Sequence, residues 1–150
     1  MGFTAQQPYK RTLKLMGSRF DITVVANDSI QANKYIDTAI LEISRIEKLI
    51  SSWDDNSQTS EINRNAGIKA IKVDLELFNI IERAIKISEL TTGAFDISYA
   101  SMDKIWHFDG SMTEMPTEDE IKKSVEKVGY QNIILDKANR TVFLKLKGMK

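Results

Sequence analysis

Leu13 and Leu15 alternate with Thr12 and Lys14, and Phe20, Ile22 and Val24 alternate with Asp21 and Thr23. That two-residue period predicts a pair of half-buried strands over residues 11–25. Met16-Gly17-Ser18 separates the runs, and a glycine within a strand pattern marks a bulge or a close approach to the backbone. The period then changes. Ile36, Ala39, Ile40, Ile43, Ile46 and Ile50 recur at three- and four-residue steps behind the capping residues Asn27-Asp28-Ser29, predicting a helix over residues 29–49. Leu77, Phe78, Ile81, Ile85 and Ser88 repeat this pattern behind Asp74, with Gly93 just past the end. Thr117-Glu118-Asp119-Glu120 reads as a capping box for a third helix carrying Ile121, Val125 and Val128 and ending at Gly129.

The intervening segments are shorter. Residues 61–65 suggest one helical turn, and residues 68–73 a brief strand. Residues 132–147 read as a hairpin turning around Asp136-Lys137-Ala138-Asn139. Strands near both ends with helices between them predict an α+β fold, an antiparallel sheet from strands at both ends packed with about three helices. A disordered or appended tail is expected over residues 1–10. A glycine follows directly on the last strand, at Lys147-Gly148-Met149-Lys150, and an unpaired edge there suggests a fragment of a larger fold.

A chain of 150 residues matches one ordinary domain. Lysine plus arginine and aspartate plus glutamate number 21 each, so no net positive field points to nucleic acid or to an anionic membrane. Without cysteine, disulfides, thiolate nucleophiles and Cys-ligated metals are excluded. His107 is the only histidine, so a His-based metal triad or Ser-His-Asp site would rest on one ring, and a surface role accounts for it as well. No apolar run approaches the ~20 residues that span a bilayer, and neither a P-loop nor a Gly-x-Gly-x-x-Gly fingerprint occurs.

Ligand-binding residue types gather at the ends of the patterned elements, where a rigid scaffold presents loops. Trp53, in the polar loop at residues 51–57, either stacks on a planar ring or folds back over the first helix. In Thr91-Thr92-Gly93-Ala94-Phe95-Asp96, Gly93 and Asp96 serve as helix and turn caps, or else the backbone groups of Ala94 and Phe95 lie open beside a carboxylate acceptor. Asp54-Asp55 fits a solvated loop better than an acid/base or Mg²⁺ pair. Trp106, in Ile105-Trp106-His107-Phe108, reads as core.

In order, Met16-Gly17-Ser18-Arg19-Phe20, Ile46-Glu47-Lys48-Leu49-Ile50-Ser51-Ser52-Trp53, Ser60-Glu61-Ile62-Asn63, Thr92-Gly93-Ala94-Phe95-Asp96-Ile97, Ile105-Trp106-His107-Phe108 and Val128-Gly129-Tyr130 resemble the FAD:protein FMN transferase (ApbE) family. The resemblance implies a T-fold-like architecture and residues 11–150 as the N-terminal part of a transferase domain. It also implies Mg²⁺-dependent transfer of FMN from FAD to a Thr or Ser hydroxyl of a target flavoprotein. Carried over by position, Met16, Trp53, Ala94, Phe95 and Asp96 would contact FAD; Asp96 would accept from the adenine amine and backbone amides near Ala94 would fix the ring edge.

Family members continue into an Asp-Leu-Gly-Gly-x-x-Lys-Gly-like segment and an Asp/Thr cluster that hold phosphate and Mg²⁺. The chain is therefore expected to be inactive alone and at best a weak FAD binder. FAD hydrolysis to FMN and AMP, a non-catalytic flavin-binding module and a generic interaction domain are the alternatives. By the same analogy the protein is exported, periplasmic or lipid-anchored, touching a membrane only through a removed anchor.

Overall fold

The computed structural model describes residues 5–150, which divide into two compact units with the boundary between Ser57 and Gln58. Residues 1–4 of the expected N-terminal tail lie outside the described residues.

The first unit is a hairpin and a helix. Strands β1 (Gln7–Leu15) and β2 (Ser18–Ala26) pair antiparallel from Gln7↔Ala26 to Leu15↔Ser18. The strand starts at Gln7 rather than at residue 11, so residues 7–10 belong to the hairpin and not to a tail. Pro8 obscures this in the sequence. In a two-stranded ribbon each strand has a free edge, so a missing N–H is tolerated. Tyr9, Leu13 and Leu15 face one side of the hairpin with Phe20, Ile22, Val24 and Ala26. Arg11 shares that face and extends its guanidinium to Asn33 (2.6 Å) and Asp37 (2.5 Å) on α1 (Ser29–Ile50), linking helix and hairpin. Asp28 caps α1 by accepting from Gln31 N at 2.8 Å, as its position predicts. Ala32 and Ile36 are buried, and the later apolar positions of the stripe are half-buried.

The second unit starts with α2 (Gln58–Arg64), a full short helix where the sequence suggests a turn. Strand β3 is only Ile71–Lys72, and α3 spans Leu75–Leu90 behind its cap Asp74. The capping box at Thr117 forms with both reciprocal bonds, and α4 (Glu118–Ser124) ends well before Gly129. Strands β4 (Ile133–Asp136) and β5 (Thr141–Leu144) form the expected hairpin, and β3 joins it in the order β3-β5-β4, antiparallel throughout. The α+β class with antiparallel strands holds, with four α-helices among the described residues. The strands of the two chain ends lie in two sheets rather than one.

The core of this unit is Ile62, Ala66, Ile71, Val73, Leu77, Phe78, Ile81, Val142, Leu144 and Met149. Gly67 is required where it stands. Its φ is +74°, and a Cβ there would lie 2.8 Å from the backbone nitrogen of Lys147. After β5 the chain turns at Gly148, buries Met149, and exchanges two hydrogen bonds between the Lys150 backbone and the Ser101 hydroxyl.

Candidate functional site

In the first unit, length matching builds the site. Nine strand residues rise ~30 Å and the 22-residue helix α1 rises ~33 Å. A helix running back along the hairpin therefore ends level with its tip. There Met16, Gly17, Glu47, Ile50, Ser51, Ser52 and Trp53 line a groove of about 530 Å³, within the usual range for small-molecule sites.

Met16-Gly17 is the hairpin turn, not a bulge. Met16 has φ +48° and Gly17 φ +72°, the double positive signature of the type I′ turn whose twist matches paired strands. The sequence conceals this because methionine is not a turn former. On the opposite wall, Ser51 ends α1. Its N–H donates to the Glu47 carbonyl at 2.9 Å, and its hydroxyl accepts from the amides of Trp53 and Asp54, both at 3.2 Å. Ser57 donates its hydroxyl to the Ser51 carbonyl. The backbone under Trp53 is thus held, while the side chain is 93% exposed, so the indole does not fold back over α1. Asp54 accepts from Asn56 N at 2.9 Å, an Asx turn that gives this carboxylate a structural role.

In the second unit, Thr91 organises residues 91–96. Its carbonyl accepts from Ala94 N at 3.1 Å and its hydroxyl from Phe95 N at 3.1 Å. Thr92 (φ +53°) and Gly93 (φ +82°) turn the chain out of α3, with Gly93 N donating to the Ser88 carbonyl at 2.8 Å. The expected open amides at Ala94 and Phe95 are therefore occupied by Thr91. What these exposed residues offer a ligand is their side chains and carbonyl oxygens.

Asp96 is half-buried. It caps the 3-10 helix Ile97–Ser101 and accepts three hydrogen bonds: from Ser98 N (2.8 Å) and Ser98 Oγ (2.7 Å) on Oδ1, and from Tyr130 N (2.8 Å) on Oδ2. A carboxylate has about four acceptor positions, and these bonds fill three of them. Ser98, only 1% exposed, also accepts from Gly129 N at 2.8 Å. Sequence reasoning missed Ser98 and the Tyr130 amide. The Asp-x-Ser spacing offers a local signal for the first, but a partner 34 residues away leaves none for the second.

The structure thus brings Met16 and Trp53 together in one unit and Ala94, Phe95 and Asp96 together in the other. Trp106 is half-buried rather than core, and His107 is exposed. Among the described residues, no three His, Asp or Glu side chains converge as a metal cage.

The model of the ApbE family matches residues 16–150, starting at the hairpin turn. The chain belongs to the ApbE family. Its similar curated relatives include the FAD:protein FMN transferase of Buchnera aphidicola subsp. Schizaphis graminum, 32% identical over 108 residues, which cover 69% of this chain and 32% of that protein. That of Klebsiella pneumoniae is 26% identical over 142 residues, 95% of this chain and 44% of the relative. The chain therefore spans between about a third and a half of the ApbE-family relatives' length. Among solved structures, the ApbE protein of Thermotoga maritima superimposes with a TM-score of 0.78 at 27% identity, covering 96% of this chain and 46% of that one. The apo form of Pseudomonas stutzeri flavinyl transferase ApbE does so with 0.76 at 17% identity, covering 100% and 48%, a likeness of fold.

Proposed function

We propose that this chain is the flavin-binding part of an FAD:protein FMN transferase. The observation that carries the reading is the exposed Trp53 indole beside the Met16-Gly17 turn on one groove. An indole left in water at a fixed backbone position gains apolar contact when a flat ring covers it, with offset stacking adding to the buried area. Gly17 keeps its side of the turn open: apart from its adjoining residues, nothing lies within 4 Å of where a Cβ would be. In the second unit, the remaining acceptor position of Asp96 suits an adenine amine. The carbonyl oxygens of Ala94 and Phe95 replace the amides as its polar neighbours.

In the reaction, the hydroxyl oxygen of a Thr or Ser on the target flavoprotein bonds to the FMN phosphorus of FAD. The pyrophosphate P–O bond breaks, AMP leaves, and the hydroxyl proton is released. Mg²⁺ would offset the charge developing on the phosphates. Among the described residues no group of side chains assembles a cage for it. The support for transfer itself is membership of the family and the activity named for its relatives. An exported or lipid-anchored location is proposed on family resemblance alone.

Titrating FAD against the chain, read by flavin fluorescence anisotropy, tests the binding. Trp53→Ala and Asp96→Ala should each weaken it about tenfold, the size of one lost stacking contact or one charged hydrogen bond. Binding indifferent to both substitutions would reject the reading in favour of a generic interaction domain.

A further inference from the structure

Glu47 has no local reason to be where it is. It lies one turn from the C-terminus of α1, where unpaired carbonyls make an anion unfavourable. It is half-buried, yet among the described residues its carboxylate takes no hydrogen bond and no ion pair. Other carboxylates of the same unit do find partners: Glu42 binds Arg45, Asp37 binds Arg11, and Asp21 binds Lys10 and Arg19. Glu47 shares a helix face with Ile50 at i+3 and Ser51 at i+4, the face that lines the groove with Met16 and Trp53. Among the described residues of that lining it is the only charged one. A residue that breaks a local rule without local compensation marks function.

We propose that Glu47 is the specificity-determining residue of this groove: its carboxylate accepts an N–H or hydroxyl donor from an uncharged, ring-bearing ligand and repels a phosphate. The inference rests on the reading of the groove as a flavin site and adds which part of FAD enters it. The isoalloxazine ring with its ribityl chain carries N–H and O–H donors and no charge, so it satisfies the carboxylate while covering Trp53. The pyrophosphate carries only acceptors and negative charge. Within a partly buried groove, like charges a few ångströms apart repel more strongly than in bulk water. The phosphate end therefore stays out of this groove.

Riboflavin and FMN share ring and ribityl chain and differ only by the phosphate, so their ratio of dissociation constants isolates the effect. Both are titrated against the 150-residue chain by flavin fluorescence anisotropy. The wild type should prefer riboflavin. Glu47→Gln, which removes the charge and weakens the acceptor, should weaken riboflavin about tenfold and FMN less, narrowing the ratio, and Glu47→Lys should reverse the preference. Circular dichroism should show both variants folded, since among the described residues the side chain makes no hydrogen bond or ion pair. If Trp53→Ala weakens riboflavin while Glu47→Gln and Glu47→Lys leave the ratio at its wild-type value, the role of Glu47 is overturned and the groove remains a flavin site. If the wild type binds neither ligand, or if Trp53→Ala binds both unchanged, the reading of the groove falls and the role of Glu47 with it.

Discussion

Met16 holds a φ of +48° in a turn position suited to asparagine or glycine. A non-glycine, non-asparagine residue there costs about 1 kcal/mol of backbone strain. Strain retained at a groove wall has a use when the side chain touches a ligand. Met16→Asn, which creates the favoured Asn-Gly pair, should therefore raise the thermal midpoint by a few degrees and weaken FAD binding in the same variant. Calorimetry and an FAD titration check the two halves, and a stabilised variant with unchanged affinity would make Met16 a turn residue only. Ser98 illustrates the opposite case, a buried hydroxyl with both capacities used, donating to Asp96 and accepting from Gly129. Ser98→Ala leaves the Gly129 N–H without its acceptor and should destabilise by about 1–3 kcal/mol. Ser98→Thr keeps the hydroxyl and should restore most of that, and faster amide exchange at Gly129 in the alanine variant would localise the loss.

The hairpin β1–β2 carries its own pH dependence. On its outer face Asp21 accepts from the Thr12 hydroxyl at 2.6 Å, directly across the ladder, and meets Lys10 at 3.0 Å and Arg19 at 3.2 Å. The Thr12 hydroxyl first, then Lys10 and Arg19, lower its pKa from the usual 3.8 to about 2. A folded value below the unfolded one means that the unfolded state binds more protons in this range. The contribution is fully present above pH 3.8 and is lost as pH falls through about 2. Urea unfolding midpoints should thus drop from pH 4 to 2 in the wild type and drop less in Asp21→Asn; parallel curves would remove Asp21 from the account. The elements themselves were legible wherever their signals are local. Asp28, Asp74 and Thr117 cap the helices they precede, and the spacing of Leu77, Phe78 and Ile81 picks out the buried face of α3. The Met16-Gly17 turn was not legible, because its type rests on φ angles that methionine rarely adopts. Nor was the pairing of β3 with β5, which joins residues about 70 positions apart and leaves no periodic trace in a two-residue strand.

At the scale of the molecule, two candidate FAD contacts are built by separate parts of the chain, each from its own residues. The groove at the hairpin tip needs only the matched lengths of hairpin and α1. The Asp96 cluster needs only the fold of residues 58–150. The residues of the proposed binding all lie within this chain, whereas transfer needs a metal and donors held at the phosphates, and the chain spans 32% to 44% of the length of relatives named FAD:protein FMN transferase. We therefore expect this chain, incubated with FAD, Mg²⁺ and an acceptor flavoprotein, to bind FAD and form no covalent flavin. Denaturing gels viewed under ultraviolet light test the covalent product, and chromatography of the supernatant tests for AMP. AMP release without a fluorescent acceptor band would identify FAD hydrolysis in place of transfer. A fluorescent acceptor band from these 150 residues would place the whole phosphoryl-transfer machinery within them and overturn the division between binding and chemistry.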